Sequence, residues 1–400
     1  SFPTRRSSDL HKMYIKREIE HEVLTGASGF PIVTITGPRQ SGKTTMIKHL
    51  FPDKKYISLE NPDNYEIART DPRGFLNKYL DGVILDEVQR VPELLSYIQG
   101  IVDEYNTPGM FILSGSQQFN LMSGISQSLA GRTAIFKLFP FNMLELGSRN
   151  ETQINEILYK GFYPRLWNIE IKPTRLYSDY IESYIERDLR QIVNIKDLDK
   201  FRTFVRLCAG RVGQIFVASH LANEIGVSVH TVHAWISILE TSYIVFKLPP
   251  FHANINKRLI KSHKLYFYDV GLASALLRIQ DSGQLDSHPL RGALFENLVI
   301  ADIVKSRRNK GLFDNFYFYR DSNQNEVDLI FDDIISLDAV EIKSSETFNT
   351  HLLNGLNHIK KVLPEKIRNT FLCYAGQQEM EYLNHQLIHF SNISGKLDSQ

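Results

Sequence analysis

Cysteine is almost absent from this chain of 400 residues: Cys208 and Cys373 stand far apart, with no CxxC spacing. That argues against a disulfide framework or a cysteine zinc site and fits a reducing, cytoplasmic setting. No run of about 18 apolar residues occurs, so no membrane span is expected, and no signal peptide is visible. Net charge is close to nil at +1, so no global field draws the chain to nucleic acid, and any such contact falls to local patches. Internal repeats and low-complexity tracts are also missing. What is present is a globular composition, 42% hydrophobic and 11% aromatic, on a chain too long for one core. Two or three domains are expected.

The opening "SFPTRRSSDL" reads as the translation of a sequencing-adapter oligonucleotide. Residues 1–12 are therefore set apart as an artefact or a tail, with a native start expected near Met13. After an amphipathic helix over 13–25, short β-rich runs ("FPIVTITG", "KKYISLE", "GVILDEV", "GMFILSGS", "AIFKLFPF") alternate with helical patterns up to about Gly147. That alternation predicts an α/β domain, a parallel sheet with helices on both faces.

The strongest signal is "GPRQSGKTT", the residues Gly37, Pro38, Arg39, Gln40, Ser41, Gly42, Lys43, Thr44 and Thr45. They fit G-x-x-x-x-G-K-[ST] between an apolar strand and a helix, the context a phosphate-binding loop requires. Backbone amides and the helix N-terminus would grip phosphate. Lys43 would reach the β and γ phosphates, and the Thr44 hydroxyl would hold Mg²⁺. An apolar strand ending in Asp86-Glu87 supplies the second half of an ATP site. Asp86 would complete the Mg²⁺ shell and Glu87 would act as general base on the attacking water. Ser114 or Ser116, ending "FILSGS", is placed to sense the γ-phosphate, and Arg132 is a candidate arginine finger. Arg165, Arg187 and Arg190 are further candidates for sensing nucleotide from the neighbouring domain.

Together "ITGPRQSGKTT", "ISLENPDN", "DPRGFL", "VILDEVQRVPELL", "ILSGSQQFNLM", "SLAGRTAIFKLFPF" and "KLYFYDVGLA" resemble one large prokaryotic family, from Met13 to about residue 346. Its members pair an AAA-type ATPase with a C-terminal region of unknown function. The resemblance implies a P-loop NTPase core (13–147), a helical, winged-helix middle (148–280) and a restriction-endonuclease-like α/β domain (285–400).

In "AVEIKSS", residues 339–345, Glu341 and Lys343 share one strand face, opposite Val340 and Ile342. The plain reading is an ion pair on a solvated face. Asp328 in "EVDLI" and Glu296 on the preceding helix "ALFENLV" supply another. Helix Glu, strand Asp and Glu-x-Lys resemble the PD-(D/E)xK nuclease arrangement. Asp328 and Glu341 would hold Mg²⁺, Lys343 would stand near the attacked phosphate, and Glu296 would orient water. Val327 stands where that pattern often has proline.

In the middle, "ASHLANEIGVSVHTVHAWISILETSYIV" reads as helix, turn, helix and strand, a helix-turn-helix with a wing. The apolar face of its second helix is expected to be Val229, Val232, Ile236, Leu239 and Tyr243. The outer face (His230, Thr231, His233, Ser237, Glu240) lacks Arg and Lys, which weighs against base reading. "NKRLIKSHK" (Lys257, Arg258, Lys261, Lys264) and "KSRRNK" (Lys305, Arg307, Arg308, Lys310) would be solvated surface or contacts to a phosphate backbone. Residues 281–292 read as a linker. The expected function is an ATP- and Mg²⁺-dependent hydrolase tied to a nuclease-like domain, with DNA as a partner to test and a homo-oligomer compatible. The alternative is a nucleotide-dependent switch or scaffold whose nuclease-like domain is inactive.

Overall fold

The computed structural model describes residues 14–115, 128–147, 153–188, 197–252 and 263–398. Met13 and the segment before it, Ser116, Arg190, Lys257, Arg258, Lys261 and the side chain of Arg187 lie outside the described residues.

Five strands form the first sheet: β1 Ile32–Thr36, β2 Lys55–Ser58, β3 Val83–Asp86, β4 Phe111–Ser114 and β5 Thr133–Lys137. All neighbours are parallel, in the order β2-β3-β4-β1-β5. Successive side chains alternate between faces. Val33, Ile35, Ile84 and Ile112 pack with Met46 and Ile47 of one helix and Val23 of another. Ile32, Val83, Leu85, Phe111 and Leu113 pack on the opposite face with Leu94, Leu95 and Ile98. Burial on both faces is why these strands read as continuous apolar runs rather than alternating ones. The order also puts β4 between the strand that enters the glycine-rich loop and the strand that ends in the acids. The first helix runs over Glu20–Gly29, starting later than the sequence pattern suggests.

The middle of the chain is helical. Pro173–Tyr180 is an α-helix that continues as a π-helix over Ile181–Asp188. Helices Ala218–Ile225 and Val229–Thr241 are joined through Gly226, whose φ is +72°. An antiparallel ribbon follows, β6 Val245–Leu248 against β7 Lys264–Phe267. Helix Val229–Thr241 buries Val232, Trp235, Ile236, Ile238 and Leu239. Val229 does not belong to that face, being 43% exposed, and Tyr243 lies beyond the helix at φ +57°.

Residues 281–292 are not a free linker. A 3-10 turn at Ser282–Asp286 buries Leu285, and a 19-residue helix starts at Arg291. That helix, Arg291–Asn309, is buried on nearly every side. It shares one continuous core with the middle helices (Phe204, Trp235, Leu272) and the last sheet (Leu329, Val340, Phe371). The last sheet is mixed: β8 Phe316–Arg320, β9 Glu326–Asp332, β10 Leu337–Lys343, β11 Ile367–Tyr374, β12 Met380–Tyr382 and β13 His385–His389, in the order β12-β13-β11-β10-β9-β8. Helix Asn354–Val362 covers its other face through Leu356 and Ile359.

Candidate functional site

The parallel register brings the first group of candidates together. Ser114 stands level with Asp86 on one side and Ile35 on the other, at the carboxyl ends of β4, β3 and β1. Past β1 the chain turns through Gly37 (φ +144°), Gln40 (φ +62°) and Gly42 (φ +94°) into helix Lys43–Leu50. At Gly37 a Cβ would stand 2.1 Å from the Leu138 carbonyl oxygen, so no side chain fits without moving backbone. Gly42 meets nothing closer than the Pro164 ring, 3.7 Å from where a Cβ would be, so its constraint is conformation alone.

Lys43 is buried, and its ammonium donates to the Gly37 and Pro38 carbonyls at 3.0 and 2.9 Å. Burial pushes its pKa down to about 8, with Glu87 and Asp86 pulling the other way. The Thr44 hydroxyl donates to Asp86 Oδ2 at 2.9 Å, Tyr56 donates to the same oxygen at 2.6 Å, and Ser114 donates to Asp86 Oδ1. Glu87 turns the chain at φ +57°, and its carboxylate accepts from the Gln89 amide. Arg39 lies over the Tyr184 ring at 5.6 Å, and Gln40 and Thr45 are exposed.

These residues fit a magnesium-bound nucleoside triphosphate. Among the described residues the Ser41 hydroxyl is buried without a hydrogen-bond partner, and the Lys43 ammonium donates only to carbonyls of its own loop. A phosphate group would satisfy both. Thr44 and Asp86 are hard oxygen donors of the kind Mg²⁺ prefers.

Arg132 does not join them. Thr133 pairs with Ile32, at the amino ends of the strands, so Arg132 lies one strand length away, roughly 16 Å, from the loop. There it forms a two-pronged pair with Asp103 at 2.5 and 2.9 Å. Within its own chain it cannot reach a γ-phosphate. Arg165 is exposed, one residue after Pro164.

Sequence reasoning missed the clamp on the loop. Arg17 is 3% exposed and donates to the Ser41 carbonyl at 3.0 Å, the Phe139 carbonyl at 2.7 Å and Glu145 at 3.0 Å. Glu145 is fixed in turn by the amides of Glu18 (2.8 Å) and Asn142 (3.0 Å). Nothing local in the sequence signals this, because the partners stand 24 to 128 residues away.

The second group converges at the end of β10. Lys343 Nζ lies 2.6 Å from Glu341 and 3.3 Å from Asp328, and Asp328 accepts from the Ile342 amide at 2.7 Å. Glu341 is 7% exposed and, among the described residues, its Oε2 is buried without a hydrogen-bond partner, so the carboxylate is not on a solvated face although Lys343 is half-buried. Burial, then Asp328, pushes the Glu341 carboxyl up to about 8. Glu296 is pushed up to about 7 by the same two causes. Among the described residues no group of three or more His, Cys, Asp and Glu stands ready to hold a metal ion. Lysines intervene: Lys343 joins Asp328 to Glu341, and Lys264 joins Glu296 (3.0 Å) to Glu326 (2.5 Å).

Lys264 thus corrects the reading of "NKRLIKSHK" as exposed: it is 2% exposed. Burial disfavours its charge, but Glu296, Asp328 and Glu326 hold its pKa above the usual lysine range. "KSRRNK" is likewise neither free surface nor a phosphate patch. Lys305 is buried against the Phe141 carbonyl at 2.6 Å, Arg307 and Lys310 pair with Asp398, and Arg308 pairs with Asp314. His230 and His233 are exposed, and helix Val229–Thr241 carries no Arg or Lys.

Residues 29–147 match the family model of an AAA domain. Residues 151–283 and 291–393 match two domains of unknown function, DUF8612 and DUF4143. An uncharacterized protein of Mycobacterium tuberculosis is 29% identical over 332 residues, covering 82% of this chain and 73% of its own. Another, of Methanocaldococcus jannaschii, is 22% identical over 334 residues, covering 70% and 69%. Among solved structures, a Walker-type ATPase of Pyrococcus abyssi covers 67% of this chain and 97% of its own at 14% identity and TM-score 0.43. A Holliday junction branch migration motor of Thermotoga maritima covers 59% and 90% at 18% identity and TM-score 0.28. Near the end of the matched region the chain meets helix Arg291–Asn309: Asp302 accepts from the Met143 amide at 2.7 Å. Among the described residues no helix is long and apolar enough to cross a membrane.

Proposed function

We propose that the protein binds magnesium-ATP at the AAA domain and hydrolyses it. The observation that carries this is the meeting of Lys43, Thr44, Asp86, Ser114 and Glu87 from three strand ends. Loop amides and Lys43 bind phosphate, and Lys43 releases its two carbonyls to do so. Thr44 and Asp86 would hold Mg²⁺, which neutralises phosphate charge when bound. Glu87 takes the proton of the attacking water, and Ser114 senses the γ-phosphate from the central strand. Steady-state hydrolysis by Glu87→Gln tests this. Turnover should fall at least about 100-fold while binding of a fluorescent nucleotide persists. Unchanged turnover would remove Glu87 as the base, and absent binding in wild type would end the reading.

The C-terminal acids support a nuclease-like centre of the PD-(D/E)xK kind, built from Asp328, Glu341, Lys343 and Glu296. Lys264, which that pattern does not include and which bridges Glu296 to Glu326, favours a second reading, in which the domain binds its partner without cutting and hydrolysis resets a switch or scaffold. Adding supercoiled DNA to the turnover assay, followed by gel analysis, separates these. Mg²⁺-dependent nicking lost in Asp328→Ala and Lys343→Ala supports the nuclease, and stimulated turnover without nicking supports the switch. DNA and a homo-oligomer are the partners proposed.

A further inference from the structure

The ribbon β6–β7 touches both sites. At one end Tyr243, just before β6, hydrogen-bonds Thr36, the last residue of the strand that enters the phosphate loop, at 3.0 Å. Tyr243 packs edge-on against Phe139 (5.6 Å) and stands at φ +57°, a conformation bulky residues rarely adopt. Such outliers persist where the surroundings over-determine them. At the other end, roughly 13 Å along the strand, Leu248 pairs with Lys264. Beyond Leu248 the chain runs beside β8, with Phe318 donating to the Pro249 carbonyl at 3.0 Å and Phe251 donating back to Phe318 at 2.6 Å. The ribbon is therefore bonded by backbone to the C-terminal sheet.

From this end two side chains enter the carboxylate centre. Lys264 bridges Glu296 and Glu326, and the Tyr266 hydroxyl donates to Glu296 at 2.6 Å. Glu296 therefore owes its position to the middle of the chain.

We propose that the carboxylate centre is a composite site, completed by Lys264 and Tyr266 as positioning residues, and that Tyr243 ties their placement to occupancy of the phosphate loop. The coupling rests on the nucleotide-binding reading above. Two ligands coupled in this way change each other's affinity by the same factor.

Hydrogen exchange on the full chain tests it, with and without a non-hydrolysable ATP analogue and Mg²⁺. The Ile342 amide, which donates to Asp328, reports the centre directly. In wild type, the analogue should protect the loop around Lys43 and shift exchange at 264–267 and 340–343 by about fivefold, the low end of usual coupling. Tyr243→Phe keeps the ring and removes the hydroxyl; loop protection should persist while the distant shift disappears. Lys264→Met should speed exchange at 340–343 without nucleotide, and Lys264→Arg should restore it. A protected loop with unchanged distant amides in wild type overturns the coupling alone. So does Tyr243→Phe with a full distant response. A Lys264→Met variant that exchanges like wild type at 340–343 overturns the composite site. A loop that is never protected ends the nucleotide reading, and the coupling with it.

Discussion

Arg17 offers the sharpest energetic test of how the phosphate loop is held. Its guanidinium is 3% exposed and its partner Glu145 1% exposed, and it donates to two loop-side carbonyls as well. Removing one member of a buried pair strands the other, which costs about 3–5 kcal/mol. Arg17→Met should therefore lower stability by that amount, a factor of roughly 150 to 5,000 in the folding equilibrium. Adding Glu145→Gln should recover up to about half of the loss, because the buried charge is gone, although the one amide oxygen can accept from only one of the two amides, Glu18 on Oε1 or Asn142 on Oε2. Urea denaturation followed by far-UV circular dichroism, run for the single and double variants, reads both numbers. Nucleotide affinity should fall alongside, because the Ser41 carbonyl loses its anchor. A cost below about 1 kcal/mol, the value of an exposed pair, would refute the clamp.

Nucleotide affinity should fall as pH rises through about 8, where the buried Lys43 loses its charge; titration of Lys43→Met should be weak and flat over that range. Stability should change with pH through Glu341. Its folded pKa is raised from 4.5 to about 8, so the folded state holds the proton more tightly than the unfolded one. That contribution is complete below 4.5 and is lost as pH rises through about 8. The melting temperature should accordingly be lower at alkaline than at mildly acidic pH, and Glu341→Gln should shrink the difference. Gly37→Ala, which places a methyl 2.1 Å from a carbonyl oxygen, should cost at least about 2 kcal/mol and abolish nucleotide binding. Gly42→Ala meets only ordinary contact, 3.7 Å from the Pro164 ring, and should cost about 1–2 kcal/mol through its left-handed conformation. Equal losses at the two glycines would show that conformation, not the Leu138 contact, is what matters.

What was legible in the sequence was what is local. The loop, its flanking strand and helix, and the acids ending β3 are each read within a dozen residues, and strands buried on both faces announce themselves as apolar runs. The distance of Arg132 from the loop of its own chain was legible as well. That residue precedes its strand, and in a parallel sheet the residue before a strand lies at the end opposite the loop. "KSRRNK" was misread because a cationic helix end looks solvated until Asp314 and Asp398 arrive from later in the chain. Arg17, Tyr243 and Lys264 were out of reach for the same reason, since each acts on a partner at least 24 residues distant. Glu296 could be singled out from the sequence, but the lysine and tyrosine that fix it come from an element with no motif.

The all-round burial of helix Arg291–Asn309 has a bearing on biosynthesis. The middle helices and the final sheet both need its apolar surface, so neither can finish closing until the ribosome has released it. Until then the nascent chain carries an open seam along helix Val270–Leu276, with Leu272 and Leu276 among its buried residues, a place where a chaperone would find purchase.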